Sequence, residues 1–406
     1  MAQRGRGRGR AAEAGRRGRG ARGGAARAAR PEHRAGERAA RQLRDAQEVR
    51  RARAGPHGRV GAAHGHAQGE AQEGLRGLRA LARRPLRGPV SAGSKGGAVV
   101  GKSGESARGR LRNLVRLPWR QRPAVGVTPA DVVHAENKWR LLRYRARPSG
   151  RAFRTPVLLV PSLINRHYVL DLVPGKSFAE YMVNQGHDVF VIDWGTPADE
   201  DRFVSFDDIT DRALGRALRV AASHGESGQA HVLGYCLGGI LTAIHTAVRP
   251  ERVASLVQLA APVVFHDEGL LSAWMRTPSF DVDAMIDAYG NVPWQLMQSA
   301  FHLLRPTLTL SKAVGVIDRA WNDEFLDGFL ALETWGNDNV SLPGEFYRRY
   351  ARMYRDDELS RGTLTLSGQP ARLEAIDRPL LTITFEHDNI VPWRSAAAIH
   401  ERAASP

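Results

Sequence analysis

The sequence predicts an α/β fold in which a mostly parallel sheet carries helices on both faces. Three observations support this prediction: short apolar runs, helix-like segments between them, and a glycine-flanked cysteine where one run meets a helix. The runs are rich in leucine or β-branched residues, which is typical of strands buried on both faces. Alternation of strand and helix favours right-handed crossovers. The runs are TPVLLVP (155–161), HDVFVIDW (187–194), AHVLG (230–234), VASLVQLAAPV (253–263) and RPLLTITFEHD (378–388).

Two segments between these runs carry helical signals. In SFAEYMVNQG, Ser177 is a plausible N-cap and Gly186 a stop. The segment 207–225, DDITDRALGRALRVAASHG, places small and apolar side chains on one stripe, as an amphipathic helix requires. Its members are Ile209, Ala213, Leu214, Ala217, Leu218 and Ala221.

Residues 1–118 have a different composition from the rest of the chain. Up to Leu117 they contain no Ile, Phe, Tyr, Trp, Thr or Cys, so they cannot bury enough apolar surface to form a core, and we expect disorder. Much of the formal charge of +17 lies here. This composition fits three alternatives: an arginine-rich arm that binds a polyanion, a solvated tail, or non-coding sequence that has been translated. Nucleic-acid binding is not favoured among them. No apolar stretch predicts a transmembrane helix or signal peptide, so we expect a cytoplasmic protein.

The remaining chain divides into three parts. We expect the α/β core to consist of two parts, residues 119–265 and residues 373–406. The intervening residues 266–372 interrupt the strand–helix alternation and hold four of the six methionines and four of the eight tryptophans. We expect a largely helical cap insertion, which could serve as a cover over the active site, as a dimer surface, or only as its own core.

Cys236 is the only cysteine of the chain and lies in Gly-Tyr-Cys-Leu-Gly-Gly (234–239), which excludes an internal disulfide. The pattern G-x-C-x-G between a strand and a helix is that of a nucleophile elbow and predicts an α/β-hydrolase fold. The helix N-terminus would favour thiolate, and the Leu237 N–H would face a developing oxyanion. The alternative is a small buried apolar residue.

Several long blocks, in the same order, resemble the polyhydroxyalkanoate synthase family. The resemblance runs from about residue 123 to 406, and the compact core is similar to the short two-component type. The blocks are VGVTPADVVHAENKWRLLRYR (125–145), VPSLINRHYVLDLVPGKSFAEYMVNQGHDVFVIDWGTP (160–197), GYCLGG, and GEFYRRYARMYRDDELSRGTLTLSGQPARLEAIDRPLL followed by FEHDNIVPWRSA.

The resemblance implies roles for individual residues. Cys236 would be the nucleophile that carries the acyl chain, and Asp388 matches the triad aspartate, with a turn or cap residue as the alternative. Ile164, in the SLINR loop after the first strand, would supply the second oxyanion N–H, or would only form a structural turn. No metal or prosthetic group is implied.

The resemblance also implies a reaction and partners. The substrate would be a 3-hydroxyacyl-CoA, polymerised with CoA release at the surface of cytoplasmic storage granules. The growing polyester, a homodimer partner and a second synthase subunit are the expected partners. The elbow alone also fits a cysteine-type acyl hydrolase or thioesterase, and an impaired triad would fit a non-catalytic granule-associated protein.

The triad histidine has no clear position in the sequence. In an α/β-hydrolase it follows the acid, and only NIVPWRSAAAIHERAASP follows Asp388. His400 lies in a helix-like stretch without glycines, and His387 adjoins Asp388, so neither is a good candidate. We therefore expect the C-terminal end of the fold to be truncated before its last strand and helix.

Overall fold

The computed structural model describes residues 99–148, 150–304, 308–388 and 390–406. Most of the low-complexity arm predicted for 1–118 therefore lies outside the described residues. None of the helices in these ranges is long and apolar enough to cross a membrane.

A mixed sheet forms the centre of the described residues and has seven strands there, in the order β1-β2-β4-β3-β5-β6-β9. The five strands from β4 to β9 are parallel, while β2 is antiparallel to both β1 and β4. The predicted α/β fold with a mostly parallel sheet is therefore confirmed. The strands are β1 (Ala130–Glu136), β2 (Trp139–Tyr144), β3 (Val157–Val160), β4 (Val189–Asp193), β5 (Ala230–Tyr235), β6 (Val253–Leu259) and β9 (Leu380–Ile383).

The hairpin of β1 and β2 was not among the predicted strands. It turns at Asn137, whose φ is 51°, and Glu136 pairs with Trp139 across the turn. β1 lies at the sheet edge and is only partly buried, so its sequence lacks the continuous apolar run of the inner strands.

The helices around the sheet follow from local signals. Ser177 caps α2 (Phe178–Asn184) and accepts a hydrogen bond from the Glu180 N–H at 2.9 Å. A π-helical turn at Asp208–Ala213 leads into α3 (Leu214–Ala222), and the predicted apolar stripe of this segment is buried. The next helix, α4 (Leu237–Val248), follows β5 directly and is buried along nearly its whole length.

Most of the segment between β6 and β9 is helical in the described residues. A two-stranded hairpin, β7 (Thr365–Leu366) with β8 (Gln369–Pro370), follows these helices, and two short helices follow β9. The helices before β9 are α5 (Leu270–Met275), α6 (Val282–Tyr289), α7 (Trp294–Leu304), α8 (Leu308–Arg319), α9 (Asp323–Asn337) and α10 (Gly344–Asp356), and those after it are α11 (Trp393–Ala397) and α12 (Ile399–Arg402).

The structure differs from the sequence prediction at the end of the arm, where Val99–Arg116 forms helix α1. Asn113 is buried and donates a hydrogen bond to the Ala320 carbonyl at 2.8 Å. Arg120, just beyond the helix, bridges Asp323 and Asp327. These contacts with α8 and α9 are not visible from composition, which is why disorder was expected up to residue 118.

Candidate active site

Cys236 occupies a sharp turn between β5 and α4. Its φ of 53° and ψ of −121° place a non-glycine residue in a strained backbone region. The Cys236 N–H donates to the Leu259 carbonyl at 2.9 Å, and the Cys236 carbonyl accepts from the Gly239 N–H at 2.9 Å. Strain that the surrounding hydrogen bonds hold in place is typical of functional sites, and the geometry is that of the nucleophile elbow.

The glycines around Cys236 permit this geometry because larger residues would collide with their neighbours. A Cβ on Gly238 would lie 2.2 Å from the Val160 carbonyl oxygen, and one on Gly239 would lie 2.3 Å from the Ala261 Cβ. The absence of these side chains lets α4 pack against β3 and β6, as the elbow requires.

The thiol of Cys236 is partly buried, and burial raises its pKa to about 11. The Leu237 N–H hydrogen bond to the sulfur lowers the pKa, and the negative charge of Asp388 raises it further. The sequence predicts that the helix N-terminus favours thiolate. That contribution is present, but loss of hydration outweighs it, so the isolated site needs a base to form thiolate near neutral pH.

Asp388 follows β9 and acts electrostatically on both Tyr235 and Cys236, which places its carboxylate at the same end of the sheet as the thiol. Its Oδ1 accepts the N–H groups of Ile390 and Val391, at 2.8 and 3.0 Å. These bonds fix the carboxylate in the turn before α11. They fit the alternative of a turn residue as well as an oriented triad acid, so the triad role stays a prediction.

Ile164 is buried in the loop after β3, and its N–H already has a partner. This N–H donates to the Ser162 Oγ at 3.3 Å, and the Ile164 carbonyl accepts from the Val340 N–H at 3.0 Å. The bond to Ser162 is long, so a substrate oxyanion could replace it, but the same contacts also support a structural turn. The oxyanion role of Ile164 stays a prediction.

The loop that carries Ile164 is tied to the helical insertion by polar contacts. The side chains of Asn165 and Asn339 are hydrogen-bonded. Asp338 accepts from the Arg166 Nε at 3.1 Å and from the Tyr168 hydroxyl at 2.7 Å. The end of α9 therefore fixes the position of this loop relative to the elbow.

An apolar cavity of about 430 Å³ lies within the helical insertion. Tyr350 and Tyr354 line it and also interact with Cys236, whose charge adds to burial in raising the pKa of both phenols. Two of the residues that line the cavity are therefore within electrostatic range of the thiol. Its other walls are mainly aliphatic, aromatic and methionine side chains, including Ile164, Leu271, Trp274, Met285, Met297 and Phe301.

The tyrosines of α10 are not among the site residues that the sequence predicts. The available signal was the spacing of Tyr347, Tyr350 and Tyr354, which places three phenols on one face of a helix. Which cavity that face lines depends on how the insertion folds over the elbow, and no local pattern gives this information.

Two buried histidines are placed away from the elbow. His231 begins β5 with its Nδ1 2.7 Å from the Ser255 Oγ, and His245 lies in the last turns of α4 with its Nδ1 2.9 Å from the Thr210 carbonyl. Burial lowers the pKa of both. Their positions at the far ends of β5 and α4 fit structural roles.

Comparison with known proteins relates the chain to two family models. The model described as the alpha/beta hydrolase fold matches residues 155–405, and the model of the poly-beta-hydroxybutyrate polymerase (PhaC) N-terminus matches residues 122–182. The first match covers more than half of the chain and agrees with the predicted α/β-hydrolase fold.

Known proteins with similar sequences are named poly(3-hydroxyalkanoate) polymerase subunit PhaC. The protein from Haloferax mediterranei is 34% identical, over 70% of this chain and 58% of its own length. That from Haloarcula marismortui is 31% identical, over 71% of this chain and 63% of its own. That from Allochromatium vinosum is 33% identical, over 69% of this chain and 80% of its own. The chain thus spans less than two thirds of the Haloferax and Haloarcula relatives and four fifths of the Allochromatium one.

Proposed function

The chain belongs to the poly(3-hydroxyalkanoate) polymerase family, and on that premise we propose that it polymerises 3-hydroxyacyl-CoA, such as 3-hydroxybutyryl-CoA, with release of CoA. The observation that carries the proposal is that the strained Cys236 lies within electrostatic range of Tyr350 and Tyr354, which line an apolar cavity. A nucleophile at such a position can hold an acyl chain whose tail occupies the cavity.

In the first step the Cys236 sulfur attacks the thioester carbonyl of the substrate. A carbon–sulfur bond to Cys236 forms, the bond to CoA breaks, and the proton of the Cys236 thiol passes through a base to the leaving CoA sulfur. The Leu237 N–H, which already points at the sulfur, would stabilise the oxyanion with the Ile164 N–H. One thioester replaces another, so the acyl group stays activated.

In the second step the hydroxyl of another 3-hydroxyacyl unit attacks the acyl-Cys236 thioester. An ester bond forms, the bond to Cys236 breaks, and the proton of the hydroxyl is passed through a base to the leaving sulfur. Because the pKa of the Cys236 thiol is raised to about 11, both steps need this base. We assign Asp388 the role of orienting this base.

The apolar cavity supports transfer to an alcohol over hydrolysis. A cavity lined mainly by hydrocarbon and aromatic groups offers few partners to water, whereas an acyl tail can fill it. A cysteine-type hydrolase on the same fold would instead have to admit water to the thioester.

Partners and location complete the proposal. The relatives are named as polymerase subunits, and we assign this chain a second synthase subunit, a homodimeric state and a place at the surface of polyhydroxyalkanoate granules. Co-purification of the native protein with a second subunit, and its recovery with the granule fraction, would test these assignments.

Product analysis tests the proposed reaction. The full-length native protein is incubated with 3-hydroxybutyryl-CoA, and CoA, free 3-hydroxybutyrate and polymer are measured separately. We expect polymer together with CoA, and neither from the Cys236→Ala variant. Free acid in place of polymer would indicate the hydrolase, and no CoA release from the folded protein would indicate a non-catalytic role.

A further inference from the structure

A buried chain of hydrogen bonds links the sheet to the backbone of the nucleophile. Gln258 on β6 and Thr242 on α4 are both almost completely inaccessible to solvent. The Gln258 Nε2 donates to the Thr242 Oγ1 at 3.1 Å, and the Thr242 hydroxyl donates to the Gly239 carbonyl at 2.9 Å. The Gly239 N–H in turn donates to the Cys236 carbonyl at 2.9 Å.

The direction of each bond follows from the available protons. A threonine hydroxyl has a single hydrogen, and the Gly239 carbonyl accepts it. The Thr242 oxygen must therefore accept from Gln258, which fixes the amide with its NH₂ group toward Thr242. The Gln258 Oε1 then lies 2.9 Å from the position that a Cβ on Gly239 would occupy.

The same side chains also fill the space that the elbow glycines leave open. A Cβ on Gly234 would lie 2.3 Å from the Thr242 Oγ1. Gln258 is also the register partner of Gly234 in the sheet. Thr242 and Gln258 therefore contact the elbow on both sides of Cys236, through Gly234 before it and Gly239 after it.

Two buried polar atoms in this arrangement cost folding free energy, and the packing of side chains alone does not explain why they are there. The Gln258 Oε1 is buried without a hydrogen-bond partner among the described residues, and so is the Oγ1 of Thr382, the register partner of Gln258 on β9. An apolar side chain would avoid this cost. Buried polar groups that are only partly satisfied call for a specific reason, and the bond to Thr242 provides one.

We propose that Gln258 and Thr242 are positioning residues that hold the first turn of α4 and thereby fix Cys236 in its strained conformation. Neither residue touches the substrate in this account. They act through Gly239, whose carbonyl and N–H are both engaged, and so keep the Leu237 N–H directed at the sulfur. Small displacements of a reacting group reduce turnover strongly, so loss of this support should lower kcat.

The chain offers a matched control one turn further along α4. Thr246 is as deeply buried as Thr242, and its hydroxyl donates to the Thr242 carbonyl at 2.6 Å. A threonine-to-valine exchange removes one buried hydroxyl at either position and preserves shape. The Thr246→Val variant therefore measures how the loss of one buried hydroxyl affects stability, while the hydrogen bond from Thr242 to the Gly239 carbonyl stays intact.

The test compares Thr242→Val with Thr246→Val in the full-length protein. The readouts are kcat and KM for CoA release, the rate of Cys236 alkylation by iodoacetamide, and the thermal unfolding midpoint. We expect Thr242→Val to lower kcat about ten-fold or more with KM nearly unchanged, and to change the alkylation rate several-fold. Thr246→Val should lower the unfolding midpoint similarly and leave kcat and alkylation within about two-fold.

Two further variants keep the proposal testable if Thr242→Val does not fold. Thr242→Ser retains the hydroxyl and should retain most of kcat, whereas Gln258→Met removes the donor and should reproduce the loss. Combined with Thr242→Val, Gln258→Met should add little, because both break the same link. Equal effects at Thr242 and Thr246, or full kcat in Gln258→Met, would overturn the proposal.

The turnover readout rests on the proposed function, but the alkylation readout does not. If the protein forms no polymer, altered alkylation in Thr242→Val and Gln258→Met would still support positioning of Cys236. Unchanged alkylation in both variants would reject positioning, whatever reaction the protein catalyses.

Discussion

Asp388→Asn should make the Cys236 thiol more reactive toward alkylation while it lowers turnover. The negative charge of Asp388 is one of the groups that raise the pKa of the thiol to about 11. At pH 8 only about one thiol in a thousand is then ionised, against roughly a quarter for an ordinary cysteine. Removing this charge lowers the pKa of the thiol, and every half unit by which the pKa falls increases the thiolate fraction about three-fold.

The assay is direct because Cys236 is the only cysteine. The alkylation rate with iodoacetamide is followed by intact mass from pH 7 to 10, for the unmodified protein and for Asp388→Asn. Asp377→Asn is the control, since Asp377 is an exposed aspartate that precedes β9 rather than following it. It should leave the alkylation rate unchanged.

A faster alkylation rate together with a lower turnover rate distinguishes an electrostatic effect of Asp388 from general loss of structure. Loss of a triad acid lowers turnover because the base is no longer oriented, while loss of a negative charge beside a thiol favours thiolate. Slower alkylation in Asp388→Asn, or a half-ionisation point below pH 8 in the unmodified protein, would show that burial and the charge of Asp388 do not raise the pKa of the thiol.

Three further predictions concern packing, the cavity and buried histidine. Gly238→Ala places a Cβ 2.2 Å from the Val160 carbonyl oxygen and should destabilise the folded protein by roughly 3 kcal/mol. The Cβ of Gly336→Ala meets nothing within 4 Å, so this variant should stabilise the protein by about 1 kcal/mol. Equal midpoints of urea unfolding for the two variants would contradict this prediction. Ala300→Phe narrows the cavity and should raise KM for substrates with long acyl chains more than for four-carbon substrates in CoA-release assays. An equal change in KM for both substrate lengths would count against this prediction. Burial lowers the pKa of His231 to about 4, so neutral His231 contributes stability above about pH 6.5, and the free energy of unfolding should fall by about 3 kcal/mol as the pH is lowered to 4. In urea unfolding, His231→Gln should lose less stability between pH 6.5 and pH 4 than the unmodified protein. An identical loss in both proteins would reject this prediction.

The inner strands could be predicted from the sequence because burial on both faces leaves a continuous apolar run. Phe190 and Val191, for example, are adjacent in such a run, lie on opposite faces of β4 and are both fully buried. The hairpin of β1 and β2 could not be read in this way, since the sheet edge buries β1 only in part. Helix α1 was missed because the burial of Asn113 depends on contacts with residues some 200 positions away.

The candidate site was predictable only where its chemistry is local. The elbow around Cys236 is encoded by adjacent glycines, so it could be recognised from six residues. The cavity beside Tyr350 and the upward shift in the pKa of Cys236 depend on which helices cover the elbow. Desolvation of the thiol is a tertiary effect, which is why the sequence predicts the thiolate-favouring contribution of the helix N-terminus but not the net upward shift in the pKa.

If Cys236 carries the acyl chain, a covalent intermediate forms on its sulfur during turnover. The most direct measurement incubates the full-length protein briefly with 3-hydroxybutyryl-CoA, quenches it in acid and locates the added mass by peptide mass spectrometry. We predict a hydroxyacyl adduct on the peptide that contains Cys236, labile to hydroxylamine as a thioester should be, and CoA release that is lost in Cys236→Ala. Undiminished CoA release in Cys236→Ala, or an adduct on another residue, would contradict the account.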